Sequence, residues 1–148
     1  MGWVCYLLFV STTTDEDLAA LPSPLYRFVR DPAADTADMK ALLAYPHRWF
    51  LECQYGGCSC HFRHVMRADD RGFGPPEDWI PEEEDDIEST RAVYDLFARI
   101  IGSGHQVDVV DLWEGTPPED LKQIPVSLGQ VPPESFRFLE GRRLVLSP

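Results

Sequence analysis

From Trp3 to Val10 the chain is apolar at every position, so both alternating sets, Trp3, Cys5, Leu7, Phe9 and Val4, Tyr6, Leu8, Val10, are suited to burial. A strand apolar on both faces belongs in the interior of a sheet. The run is far shorter than a membrane span, no basic segment precedes it, and Asp15, Glu16 and Asp17 follow soon after. It does not read as a secretion signal. A soluble cytoplasmic protein with reduced cysteines is the expectation.

The pattern then breaks into short elements. Thr14 and Asp17 predict a capped helix running to Leu21 before Pro22, and Leu25 to Arg30 predicts a second strand. Thr36 to Ala44 predicts a short helix that buries Met39, Leu42 and Leu43 and stops before Pro46. The strongest periodicity lies between Asp86 and Ile101, where Val93, Leu96, Phe97 and Ile100 share one helical face and Gly102 and Gly104 provide the stop. Val107 to Trp113 predicts a strand, Thr116 to Glu119 a helical turn, and Ile124, Val126 and Leu128 alternate on a strand whose Pro125 suits a sheet edge. Phe136 to Leu146 fits either a hairpin about Glu140-Gly141 or a helical turn followed by one strand. The whole predicts a single α+β domain over residues 1–148, with a mixed or largely antiparallel sheet of about six to eight strands and one principal helix.

Two β-rich runs, Trp49 to Tyr55 and Cys58 to Met66, flank Gly56-Gly57, a pair that supplies the positive φ angles of a tight primed turn. A regular hairpin with that turn sets Cys53 opposite Cys60 and gathers Cys53, Cys58 and Cys60 on its more apolar face. Those thiols are candidate ligands for a structural zinc ion, because Cys-x-Cys with a third cysteine nearby offers a soft corner for the metal. The same residues also suit buried core packing or thiol redox chemistry. In a regular hairpin His61 points away, and His64 lies about 13 Å beyond Cys60 at ~3.3 Å per residue. A fourth ligand therefore has to come from elsewhere, with His47, His105 and Cys5 as candidates. On the opposite face Glu52 and His61 are expected to oppose each other, most simply as the wet side of the sheet.

Charge changes the picture in one place. The chain carries a formal charge of −12, yet ten acids and a single base, Arg71, fall between Asp69 and Glu88. The remainder is nearly neutral, and no basic footprint is available for nucleic acid or an anionic membrane. The acidic Gly/Pro-containing loop at about 68–85 is interrupted by Phe73, Trp79 and Ile80, so Trp79 with Glu82, Glu83, Glu84, Asp85 and Asp86 forms a candidate docking surface for a basic protein partner. Part of that charge has a local role, since acids at the start of the following helix complement its macrodipole. The loop lacks the ligand order of an EF-hand, and the chain contains no phosphate-binding glycine loop, nucleophile elbow or metalloprotease histidine pair. The leading expectation is therefore a small binding protein, not an enzyme. Its alternative is a zinc-binding or thiol-redox protein centred on Cys53, Cys58 and Cys60.

Overall fold

The computed structural model describes residues 5–65, 73, 82–114 and 121–148. The expected helical turn at Thr116 to Glu119, together with Trp79 and most of the acidic loop, lies outside the described residues. The fold is α+β, built on a six-stranded sheet with strand order β2-β3-β1-β5-β8-β6. These strands are β1 (Tyr6–Thr12), β2 (Tyr26–Val29), β3 (His47–Cys53), β5 (Val107–Trp113), β6 (Lys122–Ser127) and β8 (Arg142–Ser147). All neighbours pair antiparallel except β6 and β8, which are parallel. A separate parallel pair joins β4 (His64–Val65) to β7 (Phe138–Leu139).

β1 is interior, as its two apolar faces require. Its partners are β3 and β5, in registers that pair Phe9 with Phe50 and Val10 with Val109. Leu8 and Val10 face the larger core, formed with Trp49, Leu51, Val109 and Leu144 beneath the helix α2 (Glu84–Gly102). Phe9, Phe50, Val110 and Leu112 face the other way, onto Ala34 and the short helix α1 (Ala37–Leu42) with its flanking Leu43. The helices cover the sheet for different reasons. α2 presents Val93, Leu96, Phe97 and Ile100 along one stripe, and burying a side chain such as Phe97 stabilises the fold by roughly 2–3 kcal/mol. α1 is too short to persist alone, and the Thr36 hydroxyl that accepts the Met39 N–H and the burial of Met39 hold it in place.

Several expected boundaries shift for identifiable reasons. The first short helix is a 3-10 turn at Leu18–Ala20 capped by Asp17, whereas the Thr14 hydroxyl accepts from Glu16 N–H one turn earlier. The tail contains a positive-φ turn at Gly141 (69°), but the two strands it joins enter different sheets. β7 leaves to pair with β4, and β8 inserts between β5 and β6. Pro125 lies on the edge strand β6, where its missing N–H costs no ladder bond. Among the described residues, no helix is long and apolar enough to cross a membrane.

Candidate metal centre

The Gly56-Gly57 turn forms, but the hairpin expected around it does not continue. Both glycines take positive φ (81° and 76°), the Cys53 N–H donates to Cys58 C=O at 2.8 Å, and Glu52 Oε1 accepts the Gly57 N–H at 2.6 Å. Beyond Cys58 the chain leaves the sheet, because both edges of β3 are taken. β1 pairs with it through Leu51, and β2 pairs with it as far as Cys53, whose partner is Tyr26. The expected opposition of Cys53 and Cys60 is thereby replaced by a backbone contact between Cys53 and Cys58. Glu52 and His61 also separate: Glu52 pairs with Arg27 at 2.8 Å, and His61 lies 3.5 Å from Asp86 with its ring edge-on to Tyr55.

The departing segment is anchored by Ser59, which is fully buried. Its N–H donates to Tyr6 C=O at 3.0 Å, and its hydroxyl donates to Leu51 C=O at 2.5 Å while accepting the Leu8 N–H at 2.9 Å. Leu8 and Leu51 are the last register pair of β1 and β3 on this side. The hydroxyl thus bridges the two backbones where the strands begin to splay. The Ser59 carbonyl meets Nε2 of His64 at 2.7 Å, and Nδ1 of the same ring meets Asp111 Oδ2 at 2.7 Å. The imidazole stacks on Tyr6 at a centroid distance of 3.8 Å. His64, which an extended strand would carry far from Cys60, folds back onto the residue between Cys58 and Cys60.

This anchoring brings sulfur atoms together from both ends of the sheet sequence. Cys5, at the start of β1, joins Cys58 and Cys60 in a group whose thiols all lie within 4.8 Å of one another. Cys5 is fixed by its own backbone, with its N–H on Glu114 Oε2 at 3.1 Å and its carbonyl accepting the Glu114 N–H at 2.9 Å. Cys53, expected as one of the three ligands, is hydrogen-bonded to Cys58 but does not belong to this group, where Cys5 takes its place. All four cysteines are free thiols; Cys53 is buried, and the other three are partly accessible. Of the candidate fourth ligands, Cys5 joins the cluster, whereas His105 hydrogen-bonds Thr13 at 3.3 Å and His47 begins β3 at the end opposite Cys53.

Burial dominates the electrostatics of Cys60 and Cys53. Burial pushes the Cys60 thiol up to about 12, and neighbouring Cys58 and Cys5 add to the rise. Cys53 is raised for the same reasons, burial first and Cys58 next. A nucleophilic or redox-active thiol needs the reverse, a cation or helix N-terminus that favours thiolate at neutral pH. Sulfurs in a tetrahedral zinc site stand about 3.8 Å apart at Zn–S ~2.3 Å, so Cys5, Cys58 and Cys60 need close in by at most about 1 Å.

The acidic residues of the expected docking surface have largely internal duties. Glu82 accepts from Arg63 and Arg137 through both carboxylate oxygens, at 2.9 to 3.2 Å. Glu83 precedes α2 and donates its N–H to Asp86 Oδ2 at 3.3 Å, Glu84 is exposed in the first turn, and Asp85 accepts from the Tyr55 hydroxyl at 2.9 Å. Burial raises the Asp86 carboxyl. His64, expected far from Cys60, is brought back to the loop, and Ser59 and Asp111, to which the sequence pattern assigns no role, hold it there. One signal was present: Asp108 and Asp111 are charges inside the otherwise apolar β5, and such charges are retained only with partners. Asp108 has its partners in Ser11 Oγ, Ala44 N–H and Arg143 Nε, whereas Asp111, raised by burial, holds His64 through one oxygen. No family model, curated protein or solved structure matches this chain.

Proposed function

We propose that this protein binds a zinc ion through Cys5, Cys58 and Cys60, with Cys53 as the fourth sulfur, and that the metal serves a structural role. The observation that supports this reading most is the convergence of thiols from two distant chain segments, with Sγ atoms within 4.8 Å, around a loop whose backbone is pinned by Ser59. Cys53, hydrogen-bonded to Cys58 though outside the group of three, is the remaining cysteine that would close a thiolate set of the kind that holds structural zinc. In a reducing cytoplasm, the location expected of this chain, the thiols remain available to the metal. The raised Cys60 thiol disfavours the redox alternative, which depends on ready ionisation.

Native mass spectrometry and elemental analysis of protein purified without chelator should find one zinc per chain. Cobalt substitution should give the thiolate-to-metal charge-transfer bands of a sulfur-rich tetrahedral site, with Cys53→Ser reducing their intensity and Cys5→Ser abolishing stoichiometric binding. Protein that takes up no zinc when reduced and titrated with the metal refutes the reading.

Association with a basic partner is a second reading, supported by one observation. Tyr55 is 65% exposed, with its hydroxyl on Asp85 and within the field of the exposed Glu83. An oligolysine peptide serves as the probe. Binding should weaken with salt and with Tyr55→Ala, and salt-independent binding or none at all discards this reading.

A further inference from the structure

The zinc reading leaves open what holds the Cys58–Cys60 loop in a ligating shape, and the structure assigns that role to His64 as a positioning residue, acting through the Ser59 carbonyl.

The assignment rests on hydrogen-bond geometry at the two ring nitrogens, both 2.7 Å from their partners. The Ser59 carbonyl can only accept, so Nε2 must carry a hydrogen. That requirement holds whether Nδ1 donates to an ionised Asp111 or accepts from a protonated one. Either way Asp111 orients the ring and Nε2–H grips the loop. The arrangement repeats, one step removed, the carboxylate–histidine pairs that orient metal ligands. Here the histidine orients the backbone between two ligands and does not touch the ion.

Burial and packing make the grip rigid. His64 and Asp111 are both buried, the ring is clamped by Tyr6 on one face and lies 6.0 Å from Phe138, and backbone bonds join β4, which carries His64, to β7. Ser59 is therefore held at its N–H, its hydroxyl and its carbonyl by β1, β3 and the His64 ring respectively. Cys58 and Cys60 flank that single fixed residue. Their side chains face the Cys5 thiol with little freedom left to lose when a metal arrives.

Two amide substitutions separate the grip on Ser59 from the bond to Asp111. In His64→Gln the side-chain nitrogen falls near the place of Nε2 and keeps a donor toward Ser59, whereas in His64→Asn it falls near the place of Nδ1 and loses that donor. Zinc affinity, read by competition with a chromophoric chelator, should fall about 10- to 100-fold in His64→Asn and stay near wild type in His64→Gln. Amide exchange of zinc-free protein gives a readout independent of the metal: the Ser59 N–H, bonded to Tyr6, should exchange faster in His64→Asn and stay protected in His64→Gln. Asp111→Asn, whose amide can donate to Nδ1 and preserve the Nε2–H, should keep both affinity and protection. Equal behaviour of the two His64 variants overturns the assignment, as does a loss in Asp111→Asn as large as that in His64→Asn. Wild-type protein that binds no zinc but shows the predicted exchange pattern overturns the metal reading and leaves the clamp standing. Zinc binding with no difference among the variants does the reverse.

Discussion

Two clusters of ionisable side chains lie on either side of the segment from Cys58 to Val65, and they are balanced in opposite ways. On one side the Glu82 carboxylate sits between the guanidinium groups of Arg63 and Arg137, each of the three side chains being at most 13% exposed. On the other, Cys5, Cys58 and Cys60 lie within 4.8 Å of one another, with Cys53 bonded to Cys58, and burial raises the Cys53 and Cys60 thiols. The first cluster holds opposite charges in direct contact, one carboxylate shared by two guanidinium groups. In the second, burial disfavours the thiolate at Cys53 and Cys60, the state that a bound cation would favour. The contrast teaches that proximity of reactive side chains is weak evidence of a binding site where opposite charges already pair, as at Glu82, and stronger evidence where, among the described residues, like groups meet, as the thiols do.

The largest expected effect comes from opening the closed cluster. Glu82→Gln leaves two buried guanidinium groups without their carboxylate and should destabilise the fold by about 3 kcal/mol, measured by urea denaturation at neutral pH. The pH dependence has a definite sign. Burial alone would lift the Glu82 carboxyl, but the Arg137 and Arg63 guanidinium groups outweigh it and hold the carboxyl below its ordinary value. Its contribution is therefore fully present above the unfolded carboxylate pKa of about 4.3 and is lost as pH falls through the lower folded value. Wild type should lose stability steeply over that acid range, and Glu82→Gln should lose less; equal acid slopes would show that the triad is not a closed unit.

A smaller effect is expected on the thiol side. Ser59→Ala strands the Leu8 N–H and the Leu51 carbonyl, at a cost of about 2 kcal/mol for buried polar groups left unpaired. The same substitution should also weaken zinc uptake, because it loosens the residue between two ligands. A variant that loses stability and keeps full zinc affinity would show that the loop is held by the metal alone. Smallest of all is Tyr55→Ala. The side chain is exposed and its bond to Asp85 faces solvent, so the stability change should be well below that of Ser59→Ala, and a comparable loss would mean that the Gly-Gly turn leans on it.

What the sequence makes legible divides along the same line. β1, β5 and α2 declare themselves by periodicity, because an interior strand must be apolar on both faces and a covering helix must be apolar along a stripe. The Gly56-Gly57 turn is legible too, since positive φ at two successive residues calls for that pair. The fate of Cys58 to Val65 is not legible from the local signal. A turn specifies that the chain reverses, and whether the returning arm pairs depends on whether β1 and β2, far away in sequence, have already claimed the edges of β3. The thiol cluster shows the same limit. Cys58 and Cys60 could be singled out from their spacing, but Cys5 joins them only because β1 runs through the centre of the sheet, and a hydroxyl such as that of Ser59 leaves no periodic trace.

The strand order carries a consequence for how this chain reaches its native state. β1 precedes the other strands of the sheet along the chain, yet one of its two neighbours is β5, and β6 has a neighbour only after β8 has slipped in beside β5. Pairing neighbours in chain order cannot complete the sheet: β1 keeps one flank unpaired until β5, far along the chain, is in place. Pairings so distant in sequence close slowly, because the loop entropy is spent before the contacts that repay it exist. During that interval the apolar strand from Tyr6 to Thr12 keeps an unpaired edge, the kind of template on which chains associate wrongly.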